Sequence, residues 1–132
     1  MRQILRSVLL VAAGGGVLAP AGMALPRQTL RIQGAKQIAV GSSASLRISG
    51  HARGHRGLAI YLDNARCARG VIAEAHGVSK RLVVKPVAGR FRHTITFLRS
   101  SSGSHYICAY LYHSNAGALV TDRRAAFRYV TR

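Results

Sequence analysis

Acidic side chains are almost missing from this sequence. Asp63, Glu74 and Asp122 are the only three in 132 residues. Glycoside hydrolysis needs two facing carboxylates, and only Asp63 and Glu74 are candidates to meet; a structural partnership with the surrounding bases is the plainer expectation for each. Tryptophan is absent, and three Phe and five Tyr are the only aromatics. No aromatic platform is interleaved with the basic residues, which argues against base stacking. No apolar run approaches the roughly 20 residues of a membrane span; Val8 to Leu18 is the longest, and it contains three glycines. No glycine-rich loop carries a phosphate-binding lysine, and Ser100 to Ser104 has no G-x-S-x-G frame. Neither Asn64-Ala65-Arg66 nor Asn115-Ala116-Gly117 is a glycosylation acceptor.

The N-terminal residues indicate where the chain works. Arg2 and Arg6 precede the short apolar run, and Ala19-Pro20-Ala21 and Gly22-Met23-Ala24 each offer small residues at the −3 and −1 positions. That is the layout of a secretory signal peptide. No cysteine stands at the cleavage site, so no lipid anchor is expected there. Residues 1–24 are assigned to the leader and 25–132 to one mature domain of ordinary size. The expected location is extracellular or associated with the cell envelope. In an exported chain the two cysteines, Cys67 and Cys108, are expected to pair as a disulfide; a catalytic or metal-binding thiol is the alternative.

The charge is one-sided. Twenty Lys and Arg against three acids give +17, and losing Arg2 and Arg6 leaves +15. Such a surface attracts anionic polymers in dilute salt without specifying one. The candidate anion-binding residues are Arg47, Arg53, Arg56, Arg92, Arg123 and Arg124. The candidate partners are anionic cell-envelope polymers, polysaccharide, extracellular DNA or another exported protein, with no specific nucleic acid. The plainer reading is that arginine merely fills solvent positions.

The mature chain reads as short alternating segments between turn residues. Strands are expected at Thr29–Gln33, Ser45–Ser49, Leu58–Leu62, Arg81–Val87, Arg90–Phe97, His105–His113 and Ala125–Thr131. Leu58–Leu62 and His105–His113 are apolar on both faces, as central strands are. Pro86 places its strand at an edge. Gln37–Val40 is a possible extra strand, and Val71–His76 either a helical turn or an irregular crossover. His51–Gly57 is expected to be a basic loop. Its H-x-x-x-H spacing suits zinc on a helix, but the glycines around it favour a solvated loop. His93 lies on the apolar face of its strand, and His105 and His113 flank theirs. Seven strands in this length predict an all-β antiparallel sandwich.

Gly103-Ser104-His105-Tyr106-Ile107-Cys108-Ala109-Tyr110-Leu111 resembles the G-x-x-Y-x-C segment of immunoglobulin-like (Ig-like) domains. Cys108-Ala109-Tyr110-Leu111, the preceding Phe91-x-x-x-Ile95-x-Phe97 strand and the terminal Ala125–Val130 strand also resemble small exported Ig-like domains of actinobacteria-like bacteria. The resemblance spans about Leu30 to Val130. It implies a seven-strand Ig-like sandwich with a tyrosine corner at Tyr106, and a scaffold of this kind does not define a function. The core tryptophan of antibody domains is lacking. Cys67 follows the third strand instead of lying on the second, so a bridge tying a loop to the sixth strand is expected. No catalytic residue, metal or cofactor is assigned; the expected role is a non-catalytic structural or interaction module.

The leader generates a direct prediction. Exported protein should begin at Leu25, or at Gly22 if the earlier site is used. Mass spectrometry decides, and a secreted product retaining Met1 refutes the assignment.

Overall fold

The computed structural model describes residues 27–98 and 101–132. The leader, both cleavage sites and residues 99 and 100 of the polar turn lie outside the described residues. The elements are β1 (Thr29–Gly34), β2 (Gln37–Ile38), β3 (Ser43–Asp63), a short helix α1 (Val71–Ala75), β4 (Lys80–Leu98), β5 (Gly103–Asn115) and β6 (Ala118–Thr131). All seven expected strands are present, but four of them are fused in pairs. The second and third are the two halves of β3, and the fourth and fifth are the two halves of β4. Gln37–Ile38 is the extra strand, and residues 71–75 form the helical turn.

The expected loop at His51–Gly57 is corrected by the structure. This stretch runs inside β3, because its backbone pairs with β4 on both sides of a bulge between Ala52 and His55. Gly54 and Gly89, near each other at this bend, have φ of +71° and +63°. That left-handed region is open to glycine at little cost. The extra residues and the two glycines let one long hairpin bend while its ladder continues.

The bend divides the hairpin between two layers. In the first, β1 pairs with β3 over residues 46–51, and β3 pairs with the second half of β4. In the second, residues 57–63 of β3 pair with β5 and the first half of β4 on opposite edges. β6 pairs antiparallel with β5, and β2 adds in parallel to the end of β6. β4 pairs only with β3, so the strand carrying Pro86 is an edge. β1 lies over β5 and β6 without pairing with them.

Strand periodicity explains the core. In β3, Ala44, Leu46 and Ile48 are buried while Ser45 and Arg47 are exposed. They meet Ile95 of β4, and across the sandwich Leu58, Ile60, Ile107, Leu111, Phe127 and Tyr129. The two-sided strands need a second cover. Ala59 and Tyr61 of β3 and Cys108 and Tyr110 of β5 point away from that core and form a separate cluster with Val71. The crossover, residues 64–79, supplies this cover. Cys67 is bonded to Cys108, with 5.5 Å between Cα atoms, so the crossover is tied to β5. This is the loop-to-strand bridge expected from the sequence.

The bridge spans 41 residues, a loop whose closure contributes about 4 kcal/mol in the chain-entropy description. Replacing both cysteines, Cys67→Ser with Cys108→Ser, should lower the unfolding free energy by about 2–5 kcal/mol in urea titrations. The native chain, denatured without reductant, should show no titratable thiol.

Candidate functional site

Two places concentrate polar chemistry, one inside the covered face and one on the open face of the first layer.

The covered site is built on Glu74, which α1 holds at 2% exposure. Its Oε1 accepts from the Ala68 backbone N–H at 2.9 Å. The Tyr110 hydroxyl lies 2.7 Å from that same Oε1 and 2.7 Å from the Ala68 carbonyl oxygen, so its one proton serves two acceptors. The Ser79 hydroxyl donates to the Glu74 carbonyl at 3.0 Å. Asp63, at the end of β3, hydrogen-bonds the Glu74 carboxyl group. The two candidate carboxylates therefore meet. Burial and the hydrogen bond to Glu74 raise the Asp63 pKa, against the opposing pull of the Ala65 N–H. Burial pushes Glu74 up as well, but hydrogen bonds from Asp63, the Ala68 N–H and Tyr110 outweigh it and leave Glu74 low. Burial and the Glu74 charge hold the Tyr110 phenol far above its ordinary range. Tyr61 packs edge-on against Tyr110, ring centres 6.2 Å apart.

The Glu74 carboxylate and the two sulfurs lie within 4.8 Å of one another. Because the sulfurs are bonded to each other, they are not thiolate ligands for a metal. Asp63 also borders a shallow hollow of about 300 Å³ with Asn64, Val78 and Lys80. Tyr106, expected at a tyrosine corner, is half-buried and pairs across the strands with Asp63 and Arg128. Four residues on, along the same face, the Tyr110 hydroxyl reaches upstream backbone at Ala68.

The third acid is also engaged. Asp122 Oδ2 lies 3.0 Å from Arg56 Nε and 2.9 Å from His113 Nδ1. Buried His105 bonds Asn64 through Nδ1 at 2.8 Å. His93 is half-buried beside Lys85, and burial and that cation lower its pKa. His55 is exposed beyond the bulge, away from His51 in the straight part of β3.

The six candidate arginines separate by what holds them. Arg56 is committed to Asp122. Arg123 donates to the Gln28 carbonyl at 3.0 Å, and the Arg53 backbone N–H donates to Gln28 Oε1 at 3.2 Å. Arg124 reaches the Cys67 and Ala68 carbonyls at 3.4 and 3.3 Å, pinning the crossover from outside. Arg47 and Arg92 stand exposed on the outer face of the first layer. The ladders bring Arg31 and Arg90 to that same face: Arg31 and Arg92 both pair with Ser49, and Arg90 pairs with His51. Strand alternation alone places all four toward solvent; only the register puts them side by side.

No protein-family model matches the chain, and no curated protein matches it by sequence. Solved structures match its fold. The CARDB domain of a Pyrococcus furiosus protein, determined in complex with di-metal ions, aligns at a TM-score of 0.53 and 12% identity, covering 81% of this chain and 89% of that one. The solution structure of that domain gives 0.52 at 11% identity, covering 79% and 93%. The PKD domain of an M14-like peptidase from a Thermoplasmatales archaeon gives 0.50 at 8% identity, covering 77% and 94%. Likeness at this identity shows the fold, an Ig-like β-sandwich.

The acid pair predicts opposite pH dependences. Asp63, raised on folding, contributes stability that is complete below its unfolded pKa and lost as pH rises through its folded value. Glu74, lowered, contributes stability present above its unfolded pKa and lost as pH falls through its folded value. The two contributions overlap in a mildly acidic window around the ordinary carboxylate range. Thermal melts from about pH 3 to about pH 7 should show that Asp63→Asn removes a loss on the alkaline side of that window. Glu74→Gln should remove a loss on its acid side.

Proposed function

We propose that residues 25–132 form an exported, non-catalytic structural or interaction module that acts outside the membrane. The observation that carries this reading is the engagement of every carboxylate in architecture. Glu74 is sealed beneath the crossover, Asp63 hydrogen-bonds Glu74, and Asp122 is held between Arg56 and His113. A general acid or base must reach substrate within hydrogen-bond distance, and Glu74 has no open path to one. The disulfide fits the oxidising compartment to which the leader directs the chain. No helix among the described residues is long and apolar enough to cross a membrane.

A second reading, the binding of anionic polymers through the arginine-rich surface, is favoured by one observation. Among the described residues, none of Arg31, Arg47, Arg90 and Arg92 has an ion-pair partner. Cations without internal partners are available to external anions.

The module reading is tested by assaying the mature, oxidised protein against chromogenic ester, peptide and glycoside substrates. No turnover above buffer is expected. Turnover abolished by Asp63→Asn or Glu74→Gln, in protein that retains its melting temperature, overturns the reading.

A further inference from the structure

We propose that the outer face of the first layer holds an anion-binding site for a single, non-aromatic polyanionic chain, namely a polysaccharide-type polymer carrying sulfate or phosphate esters. The inference deepens the polymer-binding reading and rests on it, by naming one site and one ligand class.

The site is assembled by register. Three strands present two adjacent rows on this face: Thr29, His51 and Arg90 in one, Arg31, Ser49 and Arg92 in the next. Gln33, Arg47 and Thr94 continue the face in a third row. Neighbouring strands are about 4.8 Å apart, and alternate residues along a strand about 7 Å. Arg31 and Arg92 therefore flank Ser49 across roughly 10 Å, with Arg90 and Arg47 one row to either side. Guanidinium groups at this spacing can fork onto successive oxyanions, and the hydroxyls of Thr29 and Ser49 supply neutral donors beside them.

Three further observations point to a ligand here. A hollow of about 860 Å³ is lined by these strands at 29–31, 49–51 and 90–92, with Leu30, Gly50 and Phe91 beside the outward-facing residues. His51, in its lining, has a buried Nδ1 without a hydrogen-bond partner among the described residues; such a group is costly unless something completes it. The face has no carboxylate, because all three acids are engaged elsewhere.

The same geometry selects the ligand class. Phe91 and Phe97, the aromatics of this layer, pack inward against the core. Beside its arginines the face therefore offers only His51, with Phe91 at the margin of the hollow, and not the succession of aromatic rings on which single-stranded bases stack. The row of three strands, about 10 Å across, suits one extended chain and is too narrow to enclose a duplex. A flexible chain of anionic esters and hydroxyls matches both its width and its donors.

The test uses the mature oxidised protein and three probes: heparin, a mixed-sequence single-stranded oligonucleotide and a duplex. Arg31→Ser/Arg90→Ser/Arg92→Ser is compared with Arg66→Ser/Arg69→Ser/Arg132→Ser, which removes the same charge from exposed positions outside the face. Melting temperatures of both confirm folding. Heparin affinity should fall at least tenfold in the first variant and less than threefold in the second. The log–log salt slope should shrink by about two, at somewhat under one per lost contact, in the first variant alone. Equal losses in the two variants overturn the site while leaving diffuse polymer binding intact. Absence of heparin binding by the native protein even at low salt overturns the polymer reading itself. Tighter binding of either nucleic acid, with the same dependence on Arg31, Arg90 and Arg92, overturns the ligand class.

Discussion

The covered outer face of β3 and β5 is the constraint around which the molecule is organised. Central strands that are apolar on both sides cannot leave one side in water without exposing Ala59, Tyr61 and Tyr110. A sandwich of this size has only one opposing sheet, so the second face needs a different cover. The crossover supplies it, fastened at three chemically distinct points. The Cys67–Cys108 bond anchors one end, Glu74 draws in the Ala68 N–H and the Tyr110 hydroxyl beneath, and Arg124 caps two carbonyls from outside. The Thr121 hydroxyl accepts from the Val71 N–H, which fixes the start of α1 against β6.

Burying Glu74 there has a cost that its neighbours offset. An isolated carboxylate in such a place would take up a proton. Hydrogen bonds from a second carboxyl, a backbone amide and a phenol keep it low instead. The network is satisfied as a unit, and removing any one member leaves buried polar atoms unmatched. The scarcity of acids sharpens the consequence for the surface. With its three carboxylates occupied in the interior or at Arg56, the protein has none to spare for the first layer, whose arginines are left to solvent and to external anions.

Much of the fold was legible in the sequence because the relevant signals are local. Alternation at Ser45–Ser49 and Arg90–Phe97 depends only on the two-residue period of a strand, and the structure follows it residue by residue. Two-sided apolar runs at Leu58–Leu62 and His105–His113 marked the central strands. The bend was not legible in the same way: the glycines and bases of His51–Gly57 have the composition of a loop, yet a bulge and two left-handed glycines let the ladder pass through. Composition reports what a segment tolerates in isolation, whereas its partner strand determines whether it is extended.

The sequence by itself determined the all-β class, the positions of the strands, the pairing of its only two cysteines and the excess of arginine. These follow from periodicity, from the count of one residue type and from charge. Tertiary structure alone decided which groups meet. Asp63 and Glu74 come together because the crossover folds back over β5. Tyr110 reaches the buried carboxyl because it lies beside the disulfide, two residues beyond Cys108. Arg31, Ser49 and Arg92 form one row because three strands remote in the chain adopt a single register. Register is set by the summed burial of inward side chains over whole strands, a long-range quantity that no local pattern contains.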